Sequence, residues 1–158
     1  MTSPSADDYI AIQQLVHRYA DAVIHRDGVA WGATWAVDAV WTLTGGRHVV
    51  GREAIVELWN SSMGRYSAVC QVVHSGEVHM DSPDTAHGRF YIREWYQRVT
   101  GEAGILVAHY DDTYVRTAEG WRFSGRQLQA HYQGPADLSG SFLSTREALE
   151  KRGLSTTV

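Results

Sequence analysis

Between Ile105 and Tyr132 the chain reads ILVAHYDDTYVRTAEGWRFSGRQLQAHY, with Tyr110, Asp112, Tyr114 and Arg126 far from the ends of its two arms. Val, Tyr, Thr, Trp and Phe favour strands in both arms, and Ala118, Glu119 and Gly120 supply the turn. A period of two puts Tyr110, Asp112 and Tyr114 on one face, and Arg126, Leu128 and Ala130 on one face. A polar group at mid-strand is either solvated on an open face or aimed into a polar pocket. A buried guanidinium demands an anion, which Asp112 or a ligand carboxylate or enolate could supply; a rim arginine in water is the other reading of Arg126. His74 lies in the otherwise apolar run VCQVVHSG. An imidazole with a pKa of about 6.5 suits proton abstraction near neutral pH, while a core histidine satisfied by one hydrogen bond is the plainer alternative.

The six Trp, eight Tyr and eight His are many for 158 residues and suit a pocket for an apolar or aromatic small molecule, although core packing could absorb them. His74 and His79 are five apart and fall on opposite faces of a strand, and His87, His109 and His131 lack zinc-site spacing, so no metal is expected. No phosphate loop and no serine-nucleophile motif is present. A net charge of −4 without a basic cluster argues against nucleic acid and anionic membranes as partners. The polar start MTSPSADD, the lone Cys70 and the lack of a long apolar run lead to an expected cytoplasmic location without a membrane span.

The elements that must position these residues follow from periodicity. Apolar positions from Tyr9 to Val23 predict a helix over Ser5–Arg26, capped by Ser5 with Asp8 and stopped at Asp27-Gly28. A short helix is expected over Val29–Val37, then a hairpin of Val40–Thr44 and Arg47–Val50 across Gly45-Gly46, then a helix over Arg52–Asn60. Ala68–Met80 reads as a strand, bent or bulged at Ser75-Gly76, and Thr85–Val99 as the next. Past Gly134-Pro135, residues 134–158 form a C-terminal extension with a helix capped at Ser144 and ended near Gly153. This order predicts one α+β domain over 1–158: a strongly curved antiparallel sheet forming a cone, closed by the N-terminal helices.

RYADAVIHRD, Trp35 through Trp41, Gly51-Arg52-Glu53-Ala54-Ile55, Val72-Val73-His74, Tyr110 through Arg116 and GWRF resemble the nuclear transport factor 2-like superfamily. The nearest group is the SnoaL-like branch, whose relatives include polyketide cyclases, scytalone dehydratase, hexachlorocyclohexane dehydrochlorinase and ketosteroid isomerase. The resemblance spans Ala6 to Tyr132 and implies cofactor-independent dehydration, isomerisation or cyclisation of a small polycyclic carbonyl or hydroxyl compound, in a homodimer or higher homo-oligomer. It implies His74 as general base or acid, and Tyr19 and Asp112 as donors to the substrate oxygen, with Asp112 held protonated. Trp41, Tyr110, Arg126, Leu128 and Ile24 would contact substrate. Tyr19 and Trp41 also read as ordinary core aromatics. Two departures stand out: the aspartate that orients the histidine in relatives falls on Ile24, and the isomerase base falls on Leu43. A non-catalytic binding or accessory subunit is therefore the second expectation, and an epoxide hydrolase built on Asp112 and Arg126 the third.

Overall fold

The computed structural model describes residues 2–140 and 142. Helix α1 runs from Ala6 to His25. The Asp8 amide donates to Ser5 Oγ at 3.1 Å and Ser5 Oγ donates to the Asp8 carboxylate at 2.9 Å, so the predicted cap forms. The same carboxylate accepts from Arg116 Nη2 at 2.7 Å and Trp121 Nε1 at 3.1 Å, which ties the helix start to the sheet. Arg26, at φ 55, turns the chain out of the helix. Asp27 then caps α2 (Gly28–Gly32) by accepting from the Val29 and Ala30 amides at 3.0 and 2.9 Å.

The second helix stops short of the expected Val37. Thr34 Oγ1 donates to the Trp31 carbonyl at 2.6 Å, and from Trp35 the chain pairs with the sheet as β1 (Trp35–Thr42). There follow β2 (His48–Val50), α3 (Arg52–Met63), β3 (Tyr66–Ser82), β4 (Thr85–Arg98), β5 (Ala103–Thr117) and β6 (Gly120–Gly134). The six strands form one sheet in the order β2-β1-β6-β5-β4-β3. Its neighbours are antiparallel except β1 and β6, which run parallel, with Trp41 opposite Arg126. No hairpin links those two strands, so their relative direction is not constrained to the antiparallel sense.

Pleating sorts the long strands into two faces. Register aligns Gln71, Glu94 and Leu106 in one inward row, then Val73, Ile92, Ala108 and Ala130, then Gly76, Phe90, Tyr110 and Leu128, then Val78, Gly88, Asp112 and Arg126. Helix α1 covers this face with Ile12, Leu15, Val16, Tyr19 and Val23, all buried. Between Val73 and Gly76 the register shifts, and the Phe90 ring lies where a Cβ on Gly76 would sit, 2.3 Å away, so only glycine fits there. Beneath α1, Trp31 stacks on Trp59 at 4.7 Å and meets Trp35 at 5.4 Å and Tyr19 at 5.3 Å between ring centroids.

At the other end Tyr132 donates to the Pro135 carbonyl at 2.7 Å and accepts from the Gly140 amide at 3.0 Å, and its ring meets Phe142. The expected helix after Ser144 lies outside the described residues. No helix among the described residues is long and apolar enough to cross a membrane.

Candidate functional site

The hairpin of β5 and β6 brings Asp112 opposite Arg126 on the concave face, and both are buried. Arg126 Nε donates to Asp112 Oδ1 at 2.7 Å and Nη2 to Oδ2 at 2.9 Å, a bidentate pair. Tyr114 adds a third donor to Oδ2 at 3.0 Å. Asp112 is thereby an acceptor and counter-ion, and the expected role as a protonated donor to substrate does not fit these contacts. Burial alone would lower the Arg126 pKa, but the Asp112 charge more than offsets it and keeps the guanidinium charged. Its carbon lies 4.1, 3.8 and 4.0 Å from the ring centroids of Tyr19, Tyr110 and Phe123, so three aromatic faces enclose it. Nη1 is buried with no hydrogen-bond partner among the described residues. Arg126 hydrogen-bonds only one carboxylate among those residues, so the Asp–Arg–Asp arrangement of the epoxide-hydrolase expectation is not formed.

Tyr19, from the apolar stripe of α1, meets Tyr110 with ring centroids 5.9 Å apart. Both phenols are buried, and burial raises both pKa values, that of Tyr110 well above its ordinary value. They therefore remain neutral at physiological pH and keep their protons for donation, the state an oxyanion site requires. Leu128, from the next strand, is half-buried and packs against the core, as does Trp41, whose ring meets Trp31 at 5.6 Å and Trp35 at 6.2 Å.

His74 stands on β3. It falls in the two-residue stretch between Val73 and Gly76 that has no strand partner, and it is exposed with no hydrogen bond or ring contact among the described residues. Ile24 is 40% exposed near the end of α1. Neither nearby acid replaces the missing aspartate, because Asp21 is an exposed partner of His25 at 3.6 Å and Asp27 caps α2.

A group absent from the sequence-based set lies in the first inward row. Glu94 is half-buried, faces the concave side, and accepts from Gln71 Nε2 at 2.9 Å, with Gln71 itself buried. Burial raises its pKa and the Gln71 hydrogen bond offsets part of that rise. Period-two alternation from Phe90 and Ile92 was the signal that could have found it, since Arg93 and Trp95 beside it are exposed.

The convex face holds a separate network. His109 meets His131 at 2.7 Å and Asp111 at 3.3 Å, and Arg89 Nε donates to Asp111 at 2.8 Å. His87 bonds Asp81 at 2.8 Å, and its ring lies 5.4 Å from that of His79. Two of the three cross-strand histidines therefore do meet, but no group of three or more His, Cys, Asp or Glu among the described residues is arranged to hold a metal ion.

The architecture recurs in solved structures. A candidate aromatic ring hydroxylase from Novosphingobium aromaticivorans is 25% identical with a TM-score of 0.79, covering 84% of this chain and 95% of that one. A hexachlorocyclohexane dehydrochlorinase of type 2 is 23% identical with a TM-score of 0.75, covering 87% and 93%. A candidate scytalone dehydratase from N. aromaticivorans is 16% identical with a TM-score of 0.77, covering 87% and 93%. No curated protein matches. The SnoaL-like domain family matches residues 4–127, which take in α1, the whole concave face as far as Arg126, and both phenols. The chain belongs to the SnoaL-like domain family.

Proposed function

We propose that this protein is a cofactor-independent acid–base enzyme of lyase or isomerase type. Its substrate would be a small, apolar, partly aromatic or polycyclic compound bearing a carbonyl or hydroxyl group. The observation that carries this reading is the pair of buried, neutral phenols, Tyr19 and Tyr110, set around the Arg126–Asp112 pair on the concave face. Dehydration, isomerisation and aldol-type cyclisation share one requirement, a proton moved next to a carbonyl while negative charge gathers on its oxygen. Two donors fixed by packing meet that charge without reorganising. Arg126 holds the rings from below, with Asp112 as its counter-ion, and Trp41 and Leu128 supply apolar wall. Family membership and the dehydratase- and dehydrochlorinase-type neighbours support the reaction class.

Turnover of hydroxylated bicyclic ketones, followed by the ultraviolet absorption of the new conjugated double bond, tests the reading. Tyr19→Phe lowers kcat about 10²-fold with the fold intact; equal turnover by the variant contradicts the proposal. The exposed positions of His74 and Ile24 favour a second reading, a protein that binds such a ligand without transforming it. A ligand recovered unchanged after long incubation, with affinity lowered by Tyr19→Phe, would select that reading.

A further inference from the structure

The proposed reaction needs a group that takes and returns a proton, and no hydrogen bond among the described residues orients the exposed His74. Among the described inward-facing side chains of β3 to β6, the carboxylates are Asp112 and Glu94. Asp112 and Arg126 are consumed by each other. Glu94 is not: its one hydrogen bond comes from Gln71, which leaves the other carboxylate oxygen without a donor among the described residues. The carboxylate also stands where the concave face is incompletely covered. Val73, Ala130, Leu128, Leu43, Trp41 and Met63 pack against the core yet stay partly open, whereas Phe90 and Phe123 are fully covered and Tyr19 and Tyr110 expose 2% and 6%.

Resting on the acid–base reading above, we infer that Glu94, oriented by Gln71, is the catalytic base and acid of this site. Its carboxylate removes the proton on the carbon next to the substrate carbonyl. The C–H electron pair becomes the new C=C bond of an enolate, and the charge passes to oxygen, where Tyr19 and Tyr110 donate. Glu94, now a carboxylic acid, returns the proton, either to another carbon in an isomerisation or to a departing hydroxyl that leaves as water. The register separates Glu94 from the Tyr110 row by four residues along the strands, about 13 Å of backbone. Both side chains rise from the concave face, where the curvature of the sheet draws their tips together. The row between them is Ile92, Ala108 and Ala130, small or aliphatic, an apolar floor for the carbon skeleton of the substrate. Gln71 is the positioning residue: buried in the same row, it fixes one carboxylate oxygen and leaves the other for the proton.

Two measurements on the full chain test this. The first follows the side-chain carboxyl carbons of protein labelled with 13C at glutamate, while 2-naphthol, a stable analogue of a bicyclic enolate, is added; Glu94→Gln identifies the Glu94 resonance. The second follows exchange of the acidic protons of 2-tetralone in deuterium oxide by proton NMR, for wild type, Glu94→Gln and Gln71→Leu. The inference predicts that 2-naphthol moves the Glu94 resonance. It also predicts that Glu94→Gln slows exchange about 10²-fold or more while still binding 2-naphthol. Gln71→Leu should shift the pH midpoint of exchange upward, because the hydrogen bond that favours the carboxylate is gone. An unmoved Glu94 resonance overturns the inference. Equal exchange by wild type and Glu94→Gln overturns it too, while sparing the acid–base reading. No catalysed exchange by wild type, with Glu94 shifted by 2-naphthol, overturns both the role of Glu94 and that reading.

Discussion

Replacing Arg126 with methionine removes one half of an ion pair whose side chains are 1% and 0% exposed. The two charge-assisted hydrogen bonds at 2.7 and 2.9 Å disappear, and the Asp112 carboxylate stays in the core with only Tyr114 as donor. Breaking a buried pair in this way costs about 3–5 kcal/mol. For a domain of this size that corresponds to a fall in Tm of roughly 6–20 °C. The double variant Asp112→Leu/Arg126→Met removes both charges together and leaves one unpaired tyrosine hydroxyl, a deficit of about 1–3 kcal/mol. Urea denaturation followed by circular dichroism gives both values, provided the slope against denaturant is unchanged. The double variant should thus be the more stable of the two. A cost below about 1 kcal/mol for Arg126→Met, or a double variant as unstable as the sum of the single ones, would refute the claim that this pair is a mutually dependent unit beneath the phenols.

Three further outcomes follow from the same geometry. His74→Ala, at an exposed bulge position, should change stability by no more than about 0.5 kcal/mol and leave turnover unaltered, where loss of a general base would cost about 10²–10⁴-fold; steady-state kinetics with a chemical melt decides. Burial would raise the Asp8 pKa, but hydrogen bonds from Arg116, Trp121 and Ser5 outweigh it and hold the pKa below its ordinary value. Its stabilising contribution is therefore present above the unfolded pKa of about 3.9 and lost as pH falls through the folded one, so Asp8→Asn should flatten the acid limb of a stability-versus-pH curve. For Glu94 the sign reverses: a raised folded pKa means that its contribution is full below the unfolded pKa and lost as pH rises through the folded value. Glu94→Gln should accordingly melt higher than wild type at alkaline pH, with the gap narrowing as the wild-type carboxyl becomes protonated; a constant gap across pH would contradict the burial of that carboxyl.

The Tyr110–Arg126 hairpin was legible because alternation alone sorts its polar groups onto one face, and a buried arginine opposite an aspartate has few other partners. The first helix was legible from Ser5, Asp8 and its apolar stripe. The parallel meeting of β1 and β6 was not, because it joins segments about 80 residues apart with no connecting turn to fix direction. The exact place of the register shift was hidden for a related reason: His74 and Ser75 lack a strand partner, and only pairing with β4 shows where the count slips. Glu94 was hidden by its neighbours. In Arg93-Glu94-Trp95 it looks like one charge of a solvated strand, and its inward direction emerges once it is counted in step with Phe90 and Ile92. The family resemblance carried over the fold, and it carried the proton-transfer role to an exposed histidine that no hydrogen bond among the described residues orients.

The central claim is that the concave face, rather than the convex one, receives the ligand. Mapping amide chemical shifts during titration with 2-naphthol tests it at adjacent residues that point to opposite sides. The account predicts shifts concentrated at Val73, Ala108, Tyr110, Leu128 and Ala130, with His131 and Asp111 little changed. Shifts concentrated at His109, Asp111 and His131, or none at either face at millimolar probe, would contradict it.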